Sequence, residues 1–274
     1  MKIDLHNHSY YSDGVLSPAE VVCLAKEQGC ELFALTDHDT TDGLLEAQQQ
    51  ADKIGLNLVH GVEISAMWSN MTVHIVGLGV DINNEILQIG LKQHQEFRQL
   101  RAEKMARGLG GAGVFGALEK TQAIAKKSMI TRTHFAQMLI QEGVCKDMKS
   151  VFKRFLTGKK PGGVGGKWAE YDEVISWIHA AGGKAVLAHP LRYRMTNTKV
   201  KRLLNHLSGV GLDGVEVVTG SSSSDEITLV SQWAKEFGLS ASVGSDYHGW
   251  SGQRVRIGHL QDMPSANETV WRDW

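Results

Sequence analysis

Ile3-Asp4-Leu5-His6-Asn7-His8 stands at the start of the chain, and Ser12-Asp13-Gly14 follows within a few residues. Ile3, Asp4 and Leu5 read as the end of a short strand. His6 and His8 are two apart, so on extended backbone their side chains leave the same face. Two imidazoles on one face at one strand end can chelate a divalent ion, and imidazole is a common metal ligand. Asp13 lies in a turn from which its carboxylate can curl back toward the same point. On its own H-x-H is a modest signal, as often structural as ligating. Its weight comes from what the rest of the chain places in the same setting.

Working outward, Ser17-Pro18-Ala19-Glu20 is a helix start: Ser17 caps, Pro18 takes the first helical position and Glu20 closes a capping box. The helix ends near Gly29. Leu32-Phe33-Ala34-Leu35-Thr36 is continuously apolar, as expected of a strand buried on both faces, and runs into Asp37-His38-Asp39. A helix over 43–54 leads to a third strand, Leu58 to Ile64, with Glu63 near its end. Val73 to Leu78, carrying His74, is a fourth. Residues 84–108 are helical and polar; Arg98, Arg101, Lys104 and Arg107 recur every three residues and read as a solvated basic face. Gly108 to Gly116 is expected to break that helix. Short helices fill 117–156, and Lys159 to Lys167 is a glycine-rich linker. The absence of a buried-strand pattern makes 96–166 a helical insertion on the substrate side, with 1–95 and 167–274 forming the main domain. Alternation then resumes, with helices near 171–181, 198–208 and 224–237. Between and after them come strands ending at His189-Pro190, at Val218 and at Ser245-Asp246-Tyr247-His248. Strands mostly separated by helices are the pattern of a parallel α/β barrel or open sheet.

In such folds the carboxyl ends of the strands gather at one mouth. There lie His6 and His8, His38, Glu63, His189, and Asp246 with His248; His74 sits within the fourth strand and Asp13 in the first loop. Any one of these histidines could be a satisfied loop residue. As a set, so many ionisable groups crowding one mouth require a compensating cation. One divalent ion takes about four to six ligands, so six histidines and three carboxylates suit two or three ions. Mixed imidazole and carboxylate ligands favour Mn²⁺, Fe²⁺ or Zn²⁺. Two or three divalent ions against three carboxylates leave the loaded site net positive, a seat for an anion with several oxygens. Phosphate fits, and clustered metals activate water and stabilise the oxygens of phosphoryl transfer.

The chain has 274 residues, 42% of them hydrophobic, enough for one large α/β domain with an insert. The formal net charge of -1 supplies no global basic field for long nucleic acid. Cys23, Cys30 and Cys145 form neither a zinc pattern nor an even disulfide set, which favours a reduced cytoplasm. No apolar run reaches the length of a signal peptide or a membrane span, and no protein partner is evident. His60 reads as structural; His94, His179, His206 and His259 read as solvent-facing.

His6-x-His8 with Asp13, Thr36-Asp37-His38-Asp39, Gly61-Val62-Glu63, His74, Ala188-His189-Pro190 and Gly244-Ser245-Asp246-Tyr247-His248 together resemble the PHP superfamily (polymerase and histidinol phosphatase). Thr131-Arg132-Thr133-His134-Phe135 and His189-Pro190-Leu191-Arg192-Tyr193 are similar to its TrpH-like branch, which holds 3′,5′-nucleoside bisphosphate phosphatases and the 5′-to-3′ exoribonuclease ribonuclease AM. The resemblance implies a distorted seven-stranded α/β barrel with a trinuclear, usually manganese, centre. It puts His6, His8, Glu63 and Asp246 on one metal and Asp13, His38 and His248 on a second. Glu63 then bridges to a third, completed by His74 and His189. Arg132, His134 and Arg192 would contact substrate, with Arg132 and Arg192 holding a second phosphate. Of the groups in the catalytic site, Asp246, His189 and His248, neither histidine is singled out as general acid.

The reading that follows is a metal-dependent phosphoesterase acting on nucleotides or short RNA 5′ ends. Amide or ring hydrolysis is an alternative for metal-bearing barrels with H-x-H on the first strand, though those sites commonly use a strand-borne lysine, and none stands at a strand end here. A non-catalytic module held by metals is the third possibility; the complete ligand set argues against it.

Overall fold

Ser17 accepts from the backbone N–H of Glu20 while the Glu20 carboxylate accepts from the N–H of Ser17. This box, with Pro18 at the first turn, starts α1 (Pro18–Glu27). The computed structural model describes every residue except 127, 194 and 251–253. Seven strands form one sheet in sequence order: β1 (Ile3–Asp4), β2 (Leu32–Leu35), β3 (Asn57–Trp68), β4 (Met71–Leu78), β5 (Lys184–Leu187), β6 (Gly214–Thr219) and β7 (Ser240–Gly244). The sheet nearly closes: the Leu5 N–H donates to the Val243 carbonyl at 3.1 Å, and Asn7 bridges Tyr247 in parallel. The seven-stranded α/β barrel is therefore as expected.

Its sheet is not all parallel. β4 runs antiparallel to both β3 and β5, while the other pairs are parallel. The cause is local. Only Ser69 and Asn70 separate β3 from β4, with φ of 49° and 62°. Two positive-φ residues make a primed two-residue turn whose twist suits a hairpin, whereas a parallel return needs a crossover of a dozen residues or more.

α2 (Leu44–Ile54) packs beside α1, and the long α3 (Glu85–Gly111) leads away from the barrel. α4 (Ala117–Ala125), α5 (Arg132–Gln141) and the single turn α6 (Met148–Val151) follow, with α7 (Tyr171–Ala180), α8 (Asn197–Ser208) and α9 (Ser224–Glu236) back on the barrel. α3 belongs to two cores. Leu87 and Leu91 join the main core with Ile64, Ile75 and Ile178; Met105 and Leu109 join a second with Phe135, Leu139 and Leu156.

Three expectations about this region are corrected. The glycine stretch does not end the helix at Gly108, because α3 runs on to Gly111. A Cβ on Gly108 would lie 1.8 Å from the Pro161 carbonyl oxygen, so this glycine serves close approach of the 157–166 loop. Arg98, Arg101, Lys104 and Arg107 do not share a solvated face: Arg98 and Arg101 are buried, Lys104 and Arg107 exposed. A step of three falls short of a full turn by about 60°, so four such residues sweep about half the helix. His94 is buried rather than solvent-facing, 3% exposed.

Candidate metal centre

The loop after β1 carries His6, His8 and Asp13, and it is fixed from below by carboxylates. Asp4 accepts from the N–H groups of Ser245 and Gly258, each at 2.8 Å, pinning the end of β7 to the start of the chain. Asp37 accepts from the N–H of Ser9 and from the hydroxyls of Ser9 and Ser12. Gly244 is required at the end of β7, since a Cβ there would meet the His6 Cβ at 2.2 Å. His189, Asp246 and Asp39 all have positive φ, at 31°, 57° and 47°. Such backbone is costly for residues with a side chain and concentrates at functional sites.

All nine sequence-predicted ligand residues converge. Glu63 is central and fully buried, midway along β3. Its Oε2 lies 3.3 Å from His6 Nε2, 3.3 Å from His8 Nε2 and 2.9 Å from His38 Nδ1. Its Oε1 lies 2.8 Å from His74 Nδ1 and 3.1 Å from His189 Nε2. Asp246 Oδ1 faces His8 Nε2 at 3.2 Å and His6 Nε2 at 3.6 Å; Asp13 Oδ1 faces His248 Nε2 at 3.2 Å and His38 Nε2 at 3.9 Å. Three groups have ligand atoms mutually within 4.8 Å: His8, Asp13, His38 and His248; His6, His8, Glu63 and Asp246; and His38, Glu63 and His74.

Proton bookkeeping shows what these atoms need. Glu216 Oε1 is 2.6 Å from His6 Nδ1, and a carboxylate only accepts, so Nδ1 carries the proton and Nε2 presents a lone pair to the centre. His248 does likewise: Nδ1 donates to the Asp246 carbonyl at 3.0 Å, leaving Nε2 toward Asp13. His6 Nε2 and His8 Nε2 are 3.1 Å apart. Lone pairs aimed at lone pairs and at carboxylates need a positive charge between them, a proton or a metal cation. Asp13 Oδ1, Glu63 Oε2 and His38 Nδ1 are buried without a hydrogen-bond partner among the described residues, although His38 Nδ1 is within hydrogen-bond distance of Glu63: the angles are wrong for a hydrogen bond. Burial pushes Asp13, Glu63 and Asp246 toward protonation, but the surrounding imidazoles outweigh it and hold all three well below the ordinary carboxylate range. Burial takes His38 down to about 4, leaving it neutral, whereas for His8 burial is overcome by Asp246 and Glu63, which push it up to about 10. The negative potential that draws a proton onto His8 is the potential that draws a cation. The donor set therefore fits divalent ions.

A cavity of about 190 Å³ adjoins the centre. It is lined by Asp13, His38, His74 and His248 of the centre and by Arg98, Arg101 and Arg132, with Trp168 and Trp250 also in its wall. Arg98 is paired with Asp39, and Arg101 donates twice to the Val164 carbonyl, at 3.0 and 2.9 Å. Arg132 lines the cavity and forms no ion pair among the described residues. Burial and the neighbouring Arg98 lower its pKa, against the Asp13 carboxylate, which raises it. His134 is buried and closes the capping box of α5, accepting from the Thr131 N–H at 3.1 Å. Arg192 is set apart from Arg132: it pairs with Asp246, donates to Ser221 at 3.2 Å, and lines a separate cavity of about 60 Å³. Residues the sequence did not single out are also here. Glu216 orients His6 and accepts from the His189 N–H at 2.7 Å, and a lone carboxylate inside the apolar run Val215-Glu216-Val217 was its signal. Trp250 stacks at a tilt on His248, ring centres 4.2 Å apart, and donates to the Asp13 carbonyl.

Comparison with known proteins agrees with this geometry. The family model of the PHP domain matches residues 4–188. A 3′,5′-nucleoside bisphosphate phosphatase of Chromobacterium violaceum is 43% identical over 272 residues, covering 99% of this chain and 95% of that protein. A 5′-3′ exoribonuclease of Haemophilus influenzae is 40% identical over 273 residues, covering 98% of each. A solved structure of an amidohydrolase from Chromobacterium violaceum, with bound sulfate and no metal, superposes with a TM-score of 0.94 at 43% identity, covering 99% of this chain and 95% of the other. Among the described residues no helix is long and apolar enough to cross a membrane.

Proposed function

The chain belongs to the PHP family and is a hydrolase, a metal-dependent phosphoesterase that binds divalent ions; from that premise we propose that it removes the 3′-phosphoryl or 3′-phosphodiester group from nucleotides bearing a 5′-phosphate. Nucleoside 3′,5′-bisphosphates and 5′-phosphorylated RNA ends share that feature; one relative is named for the bisphosphate and the other for 5′-to-3′ exoribonuclease action. The observation that carries the reading is the 190 Å³ cavity, which Arg132 lines together with four residues of the ligand cluster. Arg132 forms no ion pair among the described residues, and its planar fork suits phosphate oxygens.

Two or three ions, most simply Mn²⁺, fit the three ligand groups. His6, His8, Glu63 and Asp246 would hold one, Asp13, His38 and His248 another, and Glu63 and His74 a third together with His189, whose Nε2 lies 3.1 Å from Glu63 although the third group brings His38 rather than His189 within reach. When bound, the ions supply an activated water and neutralise the phosphoryl oxygens. The chain's own residues do the rest. Glu216 and the Asp246 carbonyl hold protons on the Nδ1 atoms of His6 and His248, so the opposite nitrogens stay directed inward. Arg192 holds Asp246 in place. Arg132 and Arg101 fix the distal phosphate, while Trp250 and Trp168 wall the cavity against water. Residues 1–95 and 167–274 form the metal-binding barrel in this reading, and 96–166 the part that closes over substrate. Carbon–nitrogen hydrolysis is the less favoured alternative, because no lysine lines the cavity among the described residues.

Incubation of 5′-labelled and 3′-labelled RNA with the Mn²⁺-loaded protein tests this. Loss of single nucleotides from a 5′-phosphorylated end, abolished when that phosphate is removed, is expected. Digestion from the 3′ end, or indifference to the 5′-phosphate, contradicts it.

A further inference from the structure

Asp39 follows His38 directly, and its own N–H donates to the Glu63 carbonyl at 2.9 Å. It is thus bonded to the backbone of two centre residues. Its carboxylate is fully buried and accepts from three directions: the Ser65 N–H at 2.8 Å, His94 Nδ1 at 3.1 Å and Arg98 Nε at 2.7 Å. His94 and Arg98 both come from α3, the helix that also sends Arg101 into the substrate cavity. His94 is held in one tautomer, because its Nε2 accepts from the Ala169 N–H at 3.1 Å and so leaves Nδ1 as donor to Asp39. Arg98 is likewise committed on two sides, donating also to the Ser65 hydroxyl at 3.1 Å and lying 5.0 Å from the Trp168 ring centre.

We propose that Arg98 and His94 are positioning residues of the metal centre: through Asp39 they set the loop bearing His38 against Glu63, and so tie metal geometry to the substrate-side helix. The wall of arginines then divides in function. Arg98, although it lines the cavity, spends its fork on Asp39 and Ser65, whereas Arg132 is left for the ligand. Three features point this way rather than to a purely structural ion pair. The anchored carboxylate is adjacent to a proposed ligand, the backbone at Asp39 is held at a positive φ of 47° that it would otherwise leave, and both α3 donors converge on this one carboxylate. The proposal rests on the metal-centre part of the functional reading and is independent of which nucleotide is cleaved.

The test is Arg98→Met and His94→Gln in the full chain, with Mn²⁺ affinity measured calorimetrically and turnover measured on p-nitrophenyl phosphate, which has no second phosphate. Removing a group that orients a metal ligand typically costs roughly 10–100-fold in metal affinity or activity. Arg98→Met is expected to lose that much Mn²⁺ affinity for at least one ion, with kcat on the simple ester falling in parallel and partly restored by excess Mn²⁺. His94→Gln, which retains a donor, loses less. If Arg98→Met does not fold, Arg98→Lys, which keeps the charge but not the fork, is read by the same measurements. Wild-type Mn²⁺ affinity and kcat in a folded variant would overturn the proposal. So would a loss confined to KM for a substrate with two phosphates, since that would make Arg98 a phosphate ligand.

Discussion

At the scale of single residues, the centre is built from lone pairs and carboxylates that need positive charge between them. His8 and Asp246 illustrate it: they face each other at 3.2 Å and both face Glu63 or His6. Asp246→Asn and His8→Ala should each keep the fold and lose nearly all turnover, with elemental analysis showing fewer ions per chain than the two to three expected of the wild type; near-wild-type activity in either would remove these residues from the assignment. Arg132 makes a different prediction because it touches no ligand residue. A charge-assisted hydrogen bond contributes about 1.5–3 kcal/mol, so Arg132→Ala should lose about ten- to hundredfold in kcat/KM on a nucleoside 3′,5′-bisphosphate. Its loss on p-nitrophenyl phosphate should be much smaller, and equal losses on both would mean that Arg132 supports the fold. Most of the proposed ligand residues stand at or beside a strand end, a position fixed by local pattern, whereas Glu63 and His74 lie within β3 and β4. Asp39 stands beside His38 in the sequence, but its partnership with His94 and Arg98 was not legible, since it joins a loop to a helix 55 to 59 positions away.

Elements show why local pattern succeeded for helices and misjudged the sheet. The Ser17 box, the buried β2 and the strand ends carry their own signals. The hairpin between β3 and β4 does too, in the two-residue Ser69-Asn70 link, but it becomes visible only once β3 is seen to run as far as Trp68 rather than Ile64. α3 is the element where local pattern gave least. Its arginines point to a cavity wall on one side and to solvent on the other, and its last glycines are helical. Gly108 permits a test. Alanine is the better helix former by about 1 kcal/mol, so an exposed site would be stabilised by Gly108→Ala. Here the added Cβ meets the Pro161 carbonyl oxygen at 1.8 Å, and overpacking of that kind costs roughly 1–3 kcal/mol. Thermal or denaturant unfolding should therefore show Gly108→Ala to be less stable than wild type, with a raised KM for two-phosphate substrates because the displaced loop adjoins Arg101. A more stable variant would place the 157–166 loop away from α3.

On the scale of the whole molecule, the proposed ligands come from the barrel, and Arg98, Arg101 and Arg132 of the same cavity come from α3 and α5. The second core around Phe135 and Leu139 gives the helical section its own packing, continuous with the barrel along one helix. A net charge of -1 leaves attraction of the substrate to these local groups rather than to a long electrostatic track, which favours short ligands and chain ends. The most direct test compares kcat/KM for a nucleoside 3′,5′-bisphosphate with that for the same nucleoside 3′-monophosphate, both with Mn²⁺-loaded protein. The two substrates present the same ester to the metals and differ only in the phosphate assigned to Arg132. A preference for the bisphosphate of about ten- to hundredfold or more is predicted; equal values for the two would contradict the account, because no group in the cavity would then be reading a second phosphate.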